Sequence, residues 1–373
     1  MAAEPTRVLN LFTIMNRGGA ETMVMNYYRN MDRSKVQYDF MVHRQERGAY
    51  EDEIEALGGR IFRMPPVRPW SAHEYKRMVR AFYREHPEYK VIHSHMSELG
   101  YYDFIEAEKA GVPVRICHAH NRPYGLDLKS PVRWYYKTMM RAHITDLFTC
   151  GVESAEWLFG TKNKSRFVQL NNAIDAKQYV YRPQLRQSMR QALGIAEDQL
   201  VIGHVGRFDP QKNHGFLIDV FANVHKQNEK ALLVLVGDDS HSGGMEIHEK
   251  VAQLGLTESV KFLGVRSDVA DVMQAMDVFL FPSLFEGLSV ASIEAQAAGL
   301  PVLISDGVPI ECKKTDLVHV LPLKASAEEW AKTVLELAQI PRRDTYEEIK
   351  AAGFDIAENA KWLQEFYLQA AQR

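Results

Sequence analysis

Short apolar segments alternate with longer stretches of helical periodicity along this 373-residue chain. About eleven of them are apolar on both faces, which is typical of parallel strands buried between two layers of helices. They form two series, at 8–15, 38–43, 91–95, 114–119, 147–150 and 167–170, and at 201–205, 231–236, 260–263, 278–282 and 301–304. A (β/α)8 barrel needs only eight strands, so the pattern predicts two doubly wound α/β domains.

The domain boundary is predicted between residues 175 and 200, where an irregular segment precedes a short polar helix. We therefore predict a first domain over 1–180 and a second over 195–354. An amphipathic closing helix is predicted from the helical spacing of Ile356, Ala360, Leu363, Phe366 and Tyr367. We assign its segment, 355–373, to the first domain.

Composition excludes several classes of protein. With 46% hydrophobic and 25% charged residues, the chain is neither disordered nor fibrous. Three scattered cysteines are too few for a disulfide framework or a zinc ribbon. A net charge of −3 without a recognition motif disfavours nucleic acid. No apolar run reaches the ~18 residues of a membrane span and no secretory signal is apparent, so we expect a cytoplasmic protein.

The first candidate site is the loop 16–21, Asn-Arg-Gly-Gly-Ala-Glu, between the first strand and a helix. Gly18 and Gly19 allow backbone N–H groups to approach a ligand closely, and a helix N-terminus favours anions. A glycine-containing turn without a ligand explains this motif equally well.

The second candidate follows the first strand of the second domain, where Gly206-Arg207 precedes Lys212-Asn213. Arg207 and Lys212 flank a proline-containing loop at the carboxyl end of that strand, the edge where open α/β sheets bind ligands. A guanidinium and an ammonium group there suit a diphosphate. The alternative is a solvated surface pair.

The third and most specific candidate is the pair Glu286 and Glu294, which follows a buried strand. With a helix starting near Leu288, Glu294 would lie about two turns inside it, and the N–H groups of residues 287–289 would form an outward-facing anion site. A carboxylate for sugar hydroxyls beside N–H donors for phosphate is what a nucleotide-sugar site requires. Alternatively, Glu294 is simply exposed on an alanine-rich helix.

Three motifs together carry a resemblance to a known family: the Gly-Gly-Ala-Glu loop 18–21, the Gly-Arg…Lys-Asn loop 206–213, and Glu286-x7-Glu294. In order and spacing they resemble the retaining GT-B glycosyltransferases of family 4, most closely the bacterial exopolysaccharide and capsule enzymes. The resemblance covers nearly the whole chain. It implies two Rossmann-like domains facing across a cleft, with the C-terminal helix crossing back to the first domain.

The resemblance also implies a role for each matching residue. Arg207 and Lys212 would hold the donor diphosphate, Glu286 would orient sugar hydroxyls, and Glu294 would bind the ribose. Other donor-site residues, near phosphate, sugar or base, would be Gly18, Gly19, Val265, Gly287, Leu288 and Ser289. Asn213 is a mild departure, because the family often has glycine after the lysine.

Histidines end two strands of the first domain, at His93 and His95 and at His118 and His120. Under the resemblance, His120 matches the family's active-site histidine and is a catalytic candidate, whereas His93, His95, His118 and Asn121 are acceptor-side candidates. An HxH pair at a strand end is also typical of amidohydrolase zinc sites, but these expect a barrel and further ligands. Histidines satisfied within the strand ends are the third possibility.

Two helical segments of the first domain carry rows of basic residues. In 74–85 the row is Arg77, Arg80 and Arg84. After Ser130 it is Arg133, Lys137 and Arg141, interleaved with Trp134, Tyr135 and Met139. Such rows usually form a solvated face, and the alternative is contact with anionic lipid headgroups or a lipid diphosphate acceptor.

The chain is thus expected to move a sugar from a nucleotide-diphosphate sugar, which we expect to be a UDP-sugar, to a hydroxyl acceptor with retained anomeric configuration. We expect the acceptor to be a lipid-linked saccharide of surface polysaccharide synthesis, met at the inner face of the membrane. No Asp-x-Asp metal motif is evident, so we expect metal-independent transfer without a further cofactor. The alternatives are a GT-B-like nucleotide-sugar 2-epimerase and a non-enzymatic sugar-binding protein.

Overall fold

The computed structural model describes residues 4–66, 68–120, 130–240 and 242–373. They divide into two compact units. The first combines the chain up to Ala173 with Ile356–Arg373, and the second is Ile174–Asp355. The last residues of the chain therefore belong to the same unit as the first.

A seven-stranded parallel sheet forms the centre of the first unit. Its strands are β1 (Thr6–Phe12), β2 (Val36–Val42), β3 (Ile61–Arg63), β4 (Val91–Ser94), β5 (Val114–Ala119), β6 (Asp146–Thr149) and β7 (Phe167–Gln169). They lie in the order β3-β2-β1-β4-β5-β6-β7. This order reverses between β1 and β4, and doubly wound sheets bind ligands beyond the carboxyl ends of the strands at such a reversal.

A six-stranded parallel sheet with the same winding forms the centre of the second unit. Its strands are β8 (Val201–Val205), β9 (Leu232–Val236), β10 (Val260–Phe262), β11 (Val278–Phe281), β12 (Val302–Ser305) and β13 (Val318–Leu321). They lie in the order β10-β9-β8-β11-β12-β13. The reversal falls between β8 and β11, which places the loops after these two strands at the expected ligand edge.

Helices connect the strands of both sheets. In chain order they are α1 (Gly19–Asn30), α2 (Glu51–Ala56), α3 (Ala72–Glu85), α4 (Tyr101–Lys109), α5 (Ser130–Met140), α6 (Val152–Phe159), α7 (Ala176–Tyr179), α8 (Pro183–Ala192), α9 (His214–Gln227), α10 (Ser242–Gln253), α11 (Val269–Gln274), α12 (Val290–Ala297), α13 (Ala327–Leu337), α14 (Tyr346–Ala351) and α15 (Ile356–Ala370). Within the described ranges, none of them has the length and apolar character needed to cross a bilayer.

The closing helix α15 completes the core of the first unit. Its residues Ile356, Leu363 and Tyr367 are buried in one apolar cluster with Met23 and Tyr27 of α1. The apolar spacing at the end of the chain therefore corresponds to a helix that buries one face, as the sequence predicts.

The predicted fold class is confirmed: the chain forms two Rossmann-like α/β domains with parallel sheets. Thirteen strands are present in the described residues, two more than the apolar pattern predicts. The missed strands, β3 and β13, both lie at a sheet edge and are largely half-buried. The other two edge strands, β7 and β10, are predicted, so an edge position weakens the apolar signal without removing it.

Candidate active site

The loops after β8 and β11 lie side by side because their strands are hydrogen-bonded neighbours. We call residues 206–213 the β8 loop and residues 282–289 the β11 loop. The N–H of Leu284 donates to the carbonyl of Gln211 at 2.8 Å, and Gln211 Nε2 donates to the carbonyl of Phe285 at 2.9 Å. The fold thus joins the second and third sequence motifs into one site.

Lys212 and Glu286 form an ion pair between these two loops. Lys212 Nζ lies 2.6 Å from Glu286 Oε1, and the side chains are only 15% and 8% exposed. The ammonium group also lies 4.9 Å from the centre of the Phe281 ring. The backbone N–H of Lys212 donates to Asp209 Oδ1 at 3.3 Å, which fixes the backbone at this position. A cation and a carboxylate are therefore fixed together at the ligand edge of the sheet.

Asn213, the departure from the family pattern, has a left-handed backbone with φ of 58°. Glycine is the usual residue in this conformation, and asparagine is among the best tolerated alternatives. Its side-chain Nδ2 donates to the carbonyl of Pro282 at 3.2 Å, which adds a second tie between the loops. The substitution for glycine therefore preserves the path of the β8 loop.

Arg207 differs from Lys212 in exposure. Its side chain is 81% exposed and lies 3.5 Å from the carboxylate of Asp209. An exposed pair of this kind contributes little to stability. Arg207 is therefore available at the loop surface, whereas Lys212 is packed into the site.

The N-terminus of α12 differs from the prediction. The helix begins at Val290 rather than near Leu288, and Ser289 is its N-cap. The N–H of Ser289, which was expected to face outward, donates to Sγ of the buried Cys312 at 3.3 Å. The predicted anion site is thereby reduced to the N–H groups of the exposed Gly287 and the half-buried Leu288.

Glu294 lies about one turn inside α12, not two, because the helix starts later. It is half-buried rather than freely exposed. Burial raises the pKa of Glu294, and a hydrogen bond with the Tyr179 hydroxyl opposes that rise. Burial likewise raises the pKa of Tyr179. The carboxylate is therefore positioned by a partner from the segment where the sequence indicated only a domain boundary.

Two further loops border the same sheet edge. Val265, after β10, is 74% exposed. The preceding Gly264 accepts a 2.9 Å hydrogen bond from the N–H of Gly237, which follows β9. A Cβ atom at Gly237 would lie 1.9 Å from the carbonyl oxygen of Gly206 in the β8 loop, so no side chain fits there. Gly237 thus lets the loops after β8, β9 and β10 approach one another.

The glycine loop of the first unit lies where its own sheet reverses, between β1 and α1. Gly18 is the N-cap of α1, and a Cβ atom there would lie 2.3 Å from Oε2 of Glu21. A Cβ atom at Gly19 would meet nothing within 4 Å. The end of the Glu21 side chain can shift, so this contact does not require glycine at position 18, whereas the open space at Gly19 leaves its backbone accessible to a ligand.

Four histidines and one cysteine converge beyond β4, β5 and β6, and we call them the histidine cluster: His93, His95, His118, His120 and Cys150. His95 Nδ1 lies 2.8 Å from His120 Nε2. Cys150 Sγ lies 3.4 Å from His120 Nδ1 and 3.3 Å from His118 Nε2. The structure therefore brings all the described histidine candidates together, while Asn121 lies outside the described residues.

The histidine cluster is uncharged at neutral pH. Burial lowers the pKa of His93 to about 3 and the pKa of His120 to about 4. Burial together with the neighbouring imidazoles holds the pKa values of His95 and His118 well below the ordinary value. Burial raises the pKa of the Cys150 thiol to about 12. His120 is thus a neutral imidazole, not a cation for phosphate.

Two sets of side chains in the described residues offer metal-ligand atoms within 4.8 Å of one another: His93, His95 and His118, and His118, His120 and Cys150. The rings of His93 and His95 are 4.3 Å apart at 28°, and those of His118 and His120 are 4.2 Å apart at 23°. In each stacked pair the rings would have to turn before both could bind one ion at the ~2 Å length of a zinc–nitrogen bond.

The basic row on α5, with Arg141 just after its end, is half-buried and contacts other elements instead of forming a fully solvated face. Arg133 lies 3.4 Å from Glu98, Lys137 lies 4.5 Å from the Trp157 ring centre, and Arg141 Nε donates to a backbone carbonyl at 3.0 Å. On the other row, Arg80 pairs with Glu106 at 2.7 Å, whereas Arg77 and Arg84 are exposed. The large apolar side chains that α5 exposes are Val132, Trp134, Tyr135 and Met139.

Comparison with known proteins connects both units to one family. Residues 18–157 match the family described as "Glycosyl transferase 4-like domain", and residues 186–353 match "Glycosyl transferases group 1". EpsF of Bacillus subtilis (strain 168), whose name assigns it to the glycosyltransferases, is 38% identical over 379 residues, which cover 98% of this chain and 97% of EpsF. The chain belongs to the group 1 glycosyltransferases.

Two other proteins are similar to this chain, one in sequence and one in structure. The Escherichia coli UDP-Gal:alpha-D-GlcNAc-diphosphoundecaprenol alpha-1,3-galactosyltransferase is 25% identical over 226 residues, 59% of this chain and 58% of that enzyme. The crystal structure of Anabaena HepE in complex with UDP has a TM-score of 0.73 at 20% identity and covers 98% of this chain and 97% of HepE. At that identity the likeness to HepE shows the fold.

Sequence reasoning missed three residues that shape the sites of this glycosyltransferase. Tyr179 and Cys312 contact Glu294 and Ser289 from distant parts of the chain, and no local pattern marks them. Gly237 offered a signal, because it directly follows the apolar run of a strand, as Gly206 does. A glycine at the carboxyl end of a second strand was the clue that two loops approach closely.

Proposed function

We propose that this glycosyltransferase is a retaining, family 4 enzyme that moves a sugar from a UDP-sugar to a hydroxyl acceptor. The observation that carries the proposal is the Lys212–Glu286 pair, held between two loops at the ligand edge of the second sheet. It offers a cation for a diphosphate and a carboxylate for sugar hydroxyls in one place. The donor named for the E. coli relative and the UDP in the HepE complex favour uridine as the base.

In this proposal each charged residue binds a different part of the donor. Lys212 and Arg207 bind the diphosphate and stabilise the negative charge that develops as it leaves. Glu286 orients hydroxyls of the sugar, and Glu294 binds the ribose in exchange for its hydrogen bond with Tyr179. The N–H groups of residues 287 and 288 contact phosphate or sugar.

The remaining assignments come from the family resemblance. Gly18 and Gly19 contact the donor through their backbone, and Val265 lies near the base. Ser289 supports the anion site as the helix cap, since its own N–H is bound to Cys312. His120 contacts the donor sugar, and His93, His118 and Asn121 serve the acceptor.

Retention follows, in this proposal, from attack on the same face from which the diphosphate leaves. The departing phosphate oxygen takes the proton of the acceptor hydroxyl, so no separate base is required. Glu286 is a poor candidate for a covalent nucleophile because its carboxylate is paired at 2.6 Å with Lys212. Lys212 and Arg207 supply positive charge at the diphosphate, and we propose that transfer needs no metal ion.

We further propose that the acceptor is a lipid-linked saccharide of surface polysaccharide synthesis. The name of the E. coli relative contains such an acceptor, a diphosphoundecaprenol-linked sugar. The exposed aromatic residues of α5, Trp134 and Tyr135, are of the type enriched where proteins meet a membrane surface. We therefore propose a cytoplasmic enzyme that works peripherally at the inner face of the membrane.

A donor screen tests the proposal. Purified protein is incubated with UDP-, GDP- and ADP-sugars and a polyprenyl-diphosphate saccharide, and nucleoside diphosphate release is measured. We expect release with UDP-sugars and a loss of roughly 100-fold or more in Lys212→Ala, because one transition-state charge contact is removed. Lys230→Ala is the matched control, since Lys230 is an exposed lysine of the same unit and pairs with Asp198.

Three outcomes would contradict the proposal. Wild-type turnover in Lys212→Ala or Glu294→Ala would mean that these residues do not hold the donor. An epimerised nucleotide sugar released without acceptor would indicate a 2-epimerase. Binding of sugar without nucleotide release would indicate a sugar-binding protein.

A further inference from the structure

His120 has both of its ring nitrogens engaged by other members of the histidine cluster. His95 Nδ1 faces its Nε2 at 2.8 Å, and Cys150 Sγ faces its Nδ1 at 3.4 Å. These two contacts fix the plane of the imidazole, because a ring held at opposite nitrogens cannot rotate about its Cβ–Cγ bond without breaking both. The orientation of His120 is therefore set by its neighbours.

His95 is itself held rigidly. Its backbone N–H donates to the carbonyl of Leu11 at 3.0 Å, and its ring is stacked on Phe12, with ring centres 4.5 Å apart and planes 9° apart. The ring of His93 is also stacked on the ring of His95, with ring centres 4.3 Å apart. His95 is only 9% exposed, so it presents Nδ1 to His120 from a packed position rather than from a mobile loop.

In each of these hydrogen bonds one atom must donate and the other must accept, so the donors along the chain of bonds depend on one another. All the imidazoles are neutral and the Cys150 thiol is protonated, so each group has one proton to give. If His95 donates from Nδ1, His120 accepts at Nε2 and donates from Nδ1 to Cys150, whose thiol then donates to His118 Nε2. If His120 donates from Nε2, every bond runs the other way.

The chain of bonds His118–Cys150–His120–His95 thus links the tautomers of its members. Its two terminal nitrogens, His118 Nδ1 and His95 Nε2, are buried and have no hydrogen-bond partner among the described residues. Met23 Sδ lies 3.6 Å from Cys150 but is a weaker acceptor than an imidazole nitrogen. The tautomer of His120 therefore changes only together with the tautomers of its neighbours.

We propose that His95 is a positioning residue that fixes the orientation of His120 and couples the tautomer of His120 to its own, with Cys150 acting on the opposite nitrogen. The role of His120 at the donor sugar rests on the proposed function, whereas the coupling of the two histidines rests on the geometry alone. His95 then acts through His120 and does not itself touch the sugar. This replaces its assignment as an acceptor-side candidate.

The test compares two substitutions at His95 with one at a matched histidine. His95→Leu removes the hydrogen bond, and His95→Asn keeps an amide group near the place of Nδ1. His43→Leu is the control, because His43 is a buried, neutral histidine of the same unit whose ring nitrogens bond to Phe12 and Tyr75, outside the cluster. Each protein is labelled with nitrogen-15 histidine, and ring-nitrogen shifts, kcat and donor KM are measured.

We expect the ring-nitrogen shifts of His120 to be similar in the wild type and in His95→Asn, and to change in His95→Leu, where the partner of Nε2 is lost. In His95→Leu, kcat should fall on the order of 10- to 100-fold with donor KM near the wild-type value, because a displaced catalytic group costs rate more than binding. His95→Asn should recover most of kcat, and His43→Leu should keep it.

The inference is overturned if folded His95→Leu keeps the wild-type shifts of His120, or if all three variants lose kcat equally, which would mark a general packing effect. Failure of the proposed function gives a different result. A wild type that releases no nucleotide from any donor refutes the glycosyl transfer proposed above, and the nitrogen shifts still decide whether His95 controls His120.

Discussion

Removing one partner of the Lys212–Glu286 pair should destabilise the second unit more than removing both. The two charged atoms are 2.6 Å apart, and the side chains are 15% and 8% exposed. Loss of one member of a buried pair costs about 3–5 kcal/mol, because the other charge remains buried without compensation. The residual exposure of Lys212 places the expected cost near the lower end, at about 3 kcal/mol for Lys212→Met or Glu286→Gln.

The double variant, Lys212→Met with Glu286→Gln, leaves no uncompensated charge and should cost clearly less than the sum of the single changes. In a unit of this size about 1 kcal/mol corresponds to roughly 2–4 °C in Tm. Each single variant should therefore lower the Tm of the second unit by roughly 6–12 °C in calorimetry without donor. Lys230→Met, which removes an exposed pair with Asp198, should change it by less than about 4 °C. Additive single effects, or an equal loss in the control, would refute this reasoning.

Three further predictions concern pH, metal and the membrane. The Tm of the first unit should fall as pH drops from 7 to 4. Burial lowers the pKa of His43 to about 4, of His93 to about 3 and of His120 to about 4, so the unfolded chain takes up more protons than the folded chain over this range. His43→Gln should flatten the profile of Tm against pH measured by calorimetry, and a flat wild-type profile would contradict this prediction. Incubation with EDTA should leave donor turnover unchanged, and a loss restored by zinc would revive a metal role. Trp134→Ser with Tyr135→Ser should weaken sedimentation with phospholipid vesicles, while added salt has little effect; binding abolished by salt would instead point to basic residues.

The central strands could be predicted from the sequence because they are buried on both faces. β9 and β11, for example, consist entirely of buried apolar residues. The edge strands β3 and β13 were missed, although the equally short edge strands β7 and β10 were predicted. Whether such a segment forms a strand depends on the neighbouring strand with which it pairs, and the local sequence gives no information about that neighbour.

The β8 loop and the β11 loop could be predicted as motifs but not in their contacts. The position of Lys212 and Glu286 after two strands of one sheet already indicates the ligand edge. That their side chains would pair at 2.6 Å depends on the hydrogen bonds between the loops. The N–H of Ser289 was assigned to a ligand, yet it is taken by Cys312, which lies more than 20 positions further along the chain. Only tertiary structure brings such groups together.

The basic row on α5 shows why charge spacing alone is a weak guide. Arg133, Lys137 and Arg141 share one side of the helix, as their spacing predicts. Which side faces solvent depends on where carboxylates, carbonyls and aromatic rings of other elements stand. Glu98 and Trp157 lie on the basic side, so that side is covered and the aromatic residues are left outside.

The inclusion of α15 in the first unit has a consequence for biosynthesis. A ribosome makes the chain from its amino end, so residues 174–355 are complete before α15 has been made. Until then, the side of α1 that carries Met23 and Tyr27 lacks the apolar residues of α15, and the hydroxyl of Tyr367 has not yet reached His93, its partner at 2.6 Å. The first unit to be started is therefore the last to be finished, and the second can reach its native state while the first still waits for the final helix.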